Sequence, residues 1–225
     1  MKKRTYPEDF LKQLFSYTLG EDIANAVSHC IGSFFGLAAL VSLAWIAGRY
    51  GDGVDAFAFI FYGVTILFLF LMSTLYHSML NPTARIIFKR LDHIAIYILI
   101  LGSYTPYVFS VLKTPMAYLV YTVLTLVTII GIILKALYAG RYDKTSTLIY
   151  VLMGWAALFI FPQLFKIMPY YGLFFLVIGG ATYTIGALIY AFANFKYSHA
   201  LWHIFVIFGA LFQYVSIAFY ILQYK

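Results

Sequence analysis

Five histidines occur in this chain, at positions 29, 77, 93, 199 and 203, and each falls in or beside a long apolar stretch. His199 and His203 stand four apart in His199-Ala-Leu-Trp-His203, so both rings leave one face of a helix. Ser73 and His77 repeat that spacing earlier in the chain. Two imidazoles from one helix and a third from a neighbour make the open ligand set of a catalytic zinc, with water in the fourth position. Asp92 is a carboxylate placed to hydrogen-bond such a water and take its proton. Taken singly, each residue has a plainer reading. The His199–His203 pair lacks the glutamate of the common metalloprotease helix. Asp92 could pair with Lys89, three residues earlier, and Ser73 could bond its own helix backbone. His93 points about 100° away from Asp92 and suits packing or a supporting position. His29 could relay protons or bridge two helices. Taken together, buried imidazoles and a carboxylate at one depth are unfavourable without a shared partner.

Only membrane-spanning helices can hold these side chains. The sequence is 64% hydrophobic, 20% aromatic and 10% charged, whereas soluble domains run near 45–50% apolar and about 25% charged. Lipid is therefore the solvent for most of the surface. Seven stretches approach the roughly 20 apolar residues a crossing needs: 23–46, 56–79, 91–112, 116–137, 148–164, 171–193 and 200–222. Short turns separate them, among them Gly51-Asp52-Gly53, Asn81-Pro82-Thr83, Lys113-Thr114-Pro115 and Gly140-Arg141-Tyr142-Asp143. The expected fold is an all-α integral membrane bundle of seven helices, one domain over residues 21–225. Residues 1–20 form a cytoplasmic segment without the apolar core of a signal peptide. Within it Phe10, Leu11, Leu14 and Phe15 at helical spacing suit a short amphipathic interfacial helix, with a loose tail as the other reading.

With the N-terminus in the cytoplasm, 11 of the 15 Lys and Arg residues face the cytoplasm, which favours N-in and C-out. In that topology Glu21, Asn25 and His29 form a stripe at the cytoplasmic start of the first helix. Ser73 and His77 end the second, Asp92 opens the third, and His199 and His203 open the seventh. The donors then lie roughly 5–10 Å inside the cytoplasmic boundary, while the outer half of the bundle holds almost no ionisable group. Pro106 should bend the third helix and Pro162 the fifth, each by removing a backbone hydrogen bond. Gly179, Gly180 and Gly186 permit close helix approach in the sixth. The net charge of +7 is scattered through short loops, so no nucleic-acid partner is expected, and the lone Cys30 offers neither a disulfide nor a thiolate cluster.

Ser73-Thr-Leu-Tyr-His77, Arg90-Leu-Asp92-His93, Gly102-Ser-Tyr-Thr-Pro106 and His199-Ala-Leu-Trp-His203 resemble the motifs of the hemolysin III family, over nearly the whole chain. That family groups with the adiponectin and progestin receptors and, more distantly, the alkaline ceramidases. The resemblance implies a seven-helix fold with a cytoplasmic N-terminus and a zinc ion on His77, His199 and His203. Asp92 would contact the zinc-bound water with Ser73 beside it. The Glu21, Asn25 and His29 stripe also matches the family's first-helix pattern. The resemblance further implies a multi-pass protein of a bacterial plasma membrane with a role in lipid homeostasis.

The leading expectation is a zinc-dependent intramembrane hydrolase that cleaves an amide or ester in a ceramide-like or fatty-acyl lipid. In it zinc would lower the pKa of its water to about 7, Asp92 would act as base and Ser73 would steady the oxyanion. The alternatives are a non-enzymatic sensor with structural zinc and a pore-forming cytolysin. A pore needs a polar lining through the full membrane depth, and the ionisable residues stop halfway.

Overall fold

A computed structural model describes residues 8–138 and 143–222, without the side chains of residues 9, 10 and 13. The first seven residues, the Gly140-Arg141-Tyr142 part of the fourth expected turn, and the last three residues lie outside it. So do the side chains of Phe10 and Gln13 and the charges of Lys2, Lys3, Arg4, Arg141 and Lys225.

The described residues form helices and no strand. A short α1 (Glu8–Leu14) precedes α2 (Leu19–Tyr50), which Thr18 and Glu21 open as a reciprocal capping box. Asp52 and Asp55 open α3 (Gly53–Ser78) in the same way. Asn81 caps α4 (Pro82–Pro106), with Pro82 in the first turn, where its missing N–H has no partner to lose. Thr114 caps α5 (Pro115–Leu137). Then come α6 (Asp143–Trp155), α7 (Phe161–Ile167), α8 (Tyr170–Phe192) and α9 (Ser198–Tyr220).

Six spans are unbroken: α2, α3, α4 with its extension to Leu112, α5, α8 and α9. Taken as one further pass, the bent α6–α7 pair brings the number to seven. Large apolar side chains such as Phe34, Val41, Leu126, Ile133 and Phe192 face outward, where lipid satisfies them. The chain is a multi-pass integral membrane protein. The α4 span is the axis of the bundle, with 67% of its apolar window buried against 28% in α2, α5 and α8.

The fifth span corrects the sequence expectation. It is not one helix bent at Pro162. It breaks earlier, through a 3₁₀ turn at Ala156–Phe159, and resumes as α7 at an angle of 52°. Pro162 lies in the first turn of α7, so it starts a helix rather than kinking one. At Pro106 the α-helix passes into a π-helical turn, Tyr107–Leu112, in which the Lys113 N–H reaches five residues back to the Val108 carbonyl at 3.0 Å. The interruption is therefore a change of helical pitch.

Two glycines bring the backbones of α2 and α3 close together. A Cβ on Gly36 would stand 2.8 Å from the Leu67 backbone, and one on Gly63 the same distance from the Leu40 backbone. Of the three glycines expected to permit close approach in α8, Gly179 and Gly186 do so, against Gln213 and against Phe205 and Trp202, whereas Gly180 meets open space. At one end of the bundle the starts of α2, α4 and α9 meet the end of α3, tied by the Tyr197 N–H, which donates to Glu21 Oε1 at 3.2 Å. All five histidines lie toward this end.

Candidate metal centre

His77 comes from the last turn of α3, and His199 and His203 from the first turns of α9. One nitrogen from each lies within 4.8 Å of the other two. Ring centroids stand 5.2 Å apart for His77–His199, 5.3 Å for His77–His203 and 4.5 Å for His199–His203.

Residues of α2 fix which nitrogens face inward. His77 Nδ1 is 3.0 Å from Asp22 Oδ1, and a carboxylate oxygen accepts, so Nδ1 carries the proton. His203 Nδ1 is 3.2 Å from the Asn25 carbonyl oxygen and 3.0 Å from Ser28 Oγ, whose own hydroxyl donates to that same carbonyl. Here too the proton belongs on Nδ1. Both rings therefore present an Nε2 lone pair, the usual state of a metal-binding imidazole held by an outer acceptor. His77 Nε2 and His199 Nε2 are buried without any hydrogen-bond partner. Orphaned acceptors converging in this way fit a divalent metal, and imidazole donors suit zinc.

Asp22 is itself held. Arg85, 1% exposed, donates through Nη2 to both Asp22 oxygens at 2.8 Å, through Nε to the Leu14 carbonyl at 3.1 Å and through Nη1 to the Met79 carbonyl at 3.2 Å. Its guanidinium lies over the rings of Phe15 and Tyr76, at 4.6 and 5.0 Å. Tyr17 closes this end, its ring 5.6 Å from His77 and 5.0 Å from His199. Burial pushes the Tyr17 phenol well above its usual ionisation range, so it remains neutral.

Asp92 is buried on the α4 face toward the histidines and makes no ion pair with Lys89 among the described residues. Ser73 adjoins it, fully buried, but its hydroxyl forms no hydrogen bond of ordinary length, not even to its own helix backbone. His29 stacks on His203 at 3.5 Å, with Phe70 at its edge, and neither of its ring nitrogens is bonded. Within the first-helix stripe, Asn25 supports a donor ring, His29 packs against one, and Glu21 works at the helix cap. His93 turns away from the triad toward Asp143, 3.7 Å distant.

From this site a cavity of about 420 Å³ runs into the bundle. His29, Asp92, His199 and His203 line one end, Ile96, Leu99, Ile100 and Val206 its walls, and Tyr107 and Gln213 the other end. Gln213 lies ten residues beyond His203 on α9, about 15 Å at the helical rise.

The sequence reading missed Asp22, Ser28, Arg85 and Tyr17. Asp22 and Ser28 fall at i−3 and i+3 from Asn25, a spacing that would have added them to the same face. Arg85 had no local signal, since it had been counted only as a topological charge.

Comparison with known proteins gives a consistent picture. The family model described as Haemolysin-III related matches residues 17–214. Hemolysin-3 of Bacillus cereus is 36% identical over 202 residues, covering 90% of this chain and 92% of that protein. The Hemolysin-3 homolog of Bacillus subtilis (strain 168) is 34% identical over 204 residues, 91% of this chain and 96% of its own length. The monocyte to macrophage differentiation factor of Homo sapiens is 26% identical over 206 residues, 89% of this chain and 84% of that protein.

Proposed function

This chain belongs to the haemolysin-III related family, and from that premise we propose that it is a zinc-dependent hydrolase of membrane lipids, cleaving an amide or ester of a ceramide-like or fatty-acyl substrate. The observation that carries this reading is a juxtaposition. Three histidine donors converge, and two of them, His199 and His203, open with a buried carboxylate onto one apolar cavity.

His77, His199 and His203 would hold the ion, and zinc bound there supplies Lewis acidity and a water that ionises near neutral pH. The rest is the work of the chain's own residues. Asp92 takes a proton at its carboxylate oxygen. Ser73, which adjoins Asp92, donates to the substrate oxygen as charge builds on it. Tyr17 and Phe15 keep bulk water from the histidine end. The cavity, about 15 Å from His203 to Gln213 and so half the roughly 30 Å hydrocarbon core, takes one acyl chain of a single leaflet. With the N-terminus in the cytoplasm, that leaflet is the cytoplasmic one.

Two relatives carry the name Hemolysin-3 or Hemolysin-3 homolog, but the walls of this cavity beyond Asp92 are mainly apolar, and an aqueous pore needs a polar path. A sensor with structural metal would be favoured by a sealed site, whereas here two donors line the cavity. The test is metal analysis of purified protein together with turnover of ceramide-like and phospholipid substrates. Expected are about one zinc per chain and turnover that disappears when the metal is removed. Bound zinc with no turnover across the panel would favour the sensor.

A further inference from the structure

His29 lines the cavity at the end it shares with Asp92 and His203, yet it is not one of the three converging donors. The ring is 3% exposed and lies on His203 with 3.5 Å between centroids and 18° between planes, while Phe70 meets it at 5.1 Å, near the perpendicular. Neither nitrogen has a hydrogen-bond partner of ordinary length among the described residues. The backbone group in reach, at longer range, is that of His203. Inside α9 the His203 N–H is committed to the preceding turn, so only the carbonyl oxygen can take part, and it accepts. In the neutral ring the His29 nitrogen on that side therefore carries the N–H. The other presents a lone pair, to which the protein offers no donor.

The ordinary roles of a buried imidazole do not account for this. Phenylalanine would stack on His203 as well and would bury no polar atom, so packing does not explain the residue. A bridge between helices, or a proton relay, needs nitrogens that are hydrogen-bonded, and these are not. What remains is a partner that arrives through the cavity. Because the free nitrogen accepts, that partner must donate. We propose that His29 is a specificity-determining residue, accepting a hydrogen bond from a donor that the lipid carries beside its scissile carbonyl, an amide N–H or a hydroxyl. The assignment rests on the lipid-hydrolase reading and adds a requirement to it. A substrate without such a donor leaves the buried acceptor unpaired and is disfavoured for that reason.

The test is displacement of a fluorescent fatty-acyl probe from purified, zinc-loaded protein carrying Asp92→Asn, so that ligands are bound rather than consumed. Four ligands of equal chain length form two pairs. One pair is a fatty N-methylamide and its N,N-dimethyl counterpart, the other a monoacylglycerol and a fatty methyl ester. In at least one pair the donor-bearing member should bind about three- to tenfold more tightly, the worth of one neutral hydrogen bond. Which pair shows it identifies the donor as N–H or hydroxyl. His29→Phe keeps the stacked ring and removes both nitrogens. It should erase the difference while leaving zinc content and the affinity for the donor-free ligands unchanged. His29→Gln, which restores an acceptor, should keep the difference. No difference within either pair, a difference that survives in His29→Phe, or equal weakening of all four ligands overturns the assignment. Loss of zinc from both variants also overturns it, since the ring would then belong to the metal site. Failure of all four ligands to displace the probe from zinc-loaded protein overturns the lipid-cavity reading itself.

Discussion

Asp22 Oδ1 stands 3.0 Å from His77 Nδ1, joining the first turn of α2 to the last turn of α3, while the Arg85 guanidinium holds both oxygens of the same carboxylate. The carboxylate fixes the ring's tautomer and makes its Nε2 a stronger donor. Asp22→Asn is expected to weaken zinc binding about 10–100-fold, the usual effect of losing an outer-shell partner. Competition against a chromogenic chelator measures it. Unchanged affinity would mean that the Asp22 contact does not orient His77 for metal.

The double variant His199→Ala, His203→Ala should lose zinc, because α9 provides two of the three converging donors. His29→Ala should retain it, since that ring packs against His203 without joining the donor group. Metal content by plasma emission after gel filtration distinguishes the two, and equal loss in both would redraw the ligand set.

Asp92→Asn keeps the size of the side chain and removes its basicity. Turnover of a lipid amide or ester should fall about 10²–10⁴-fold, the contribution of a general base, at unchanged zinc occupancy. Equal turnover by this variant would remove Asp92 from the chemistry.

Gly36→Ala would set a methyl group 2.8 Å from the Leu67 backbone, so α2 and α3 must separate. The expected loss is about 1–3 kcal/mol of stability, read as an earlier unfolding transition in detergent. Zinc affinity should fall with it, because these helices carry Asp22 and His77. A variant with unchanged stability would show that the contact yields freely.

With the bent α6–α7 pair counted as a seventh pass, the two ends of the chain should lie on opposite sides of the membrane, and the skewed Lys and Arg distribution favours an N-terminus in the cytoplasm. Reporter fusions at each end decide this, and two reporters active on the same side would exclude an odd number of passes.

The bundle was legible because a crossing helix writes itself as a long apolar run, and the turns around Asp52, Asn81 and Thr114 carry capping side chains at their proper offsets. The His199–His203 pair was legible as one turn of helix, and His77 joined it once the passes were ordered. The break at Ala156–Phe159 was hidden, because alanine, leucine and phenylalanine carry no local instruction to stop a helix, and Pro162 drew attention a few residues too late. Arg85 was hidden for a different reason. Charges near a helix end also serve topology, and its partner Asp22 lies on another helix, so pattern alone could not distinguish an inserted guanidinium from a solvated one. Gln213 and Tyr107, at the far end of the cavity, went unmarked because neither belongs to a recognisable spacing.

Two of the three converging donors sit on α9, the last helix described, and the acceptors that orient His77 and His203 sit on α2, near the beginning. As the chain leaves the ribosome, the early helices enter the bilayer with only one donor in hand. The three donors can come together only once the final helix has been inserted beside α2. A chain that is truncated, or whose last helix enters upside down, never brings His199 and His203 to the histidine end.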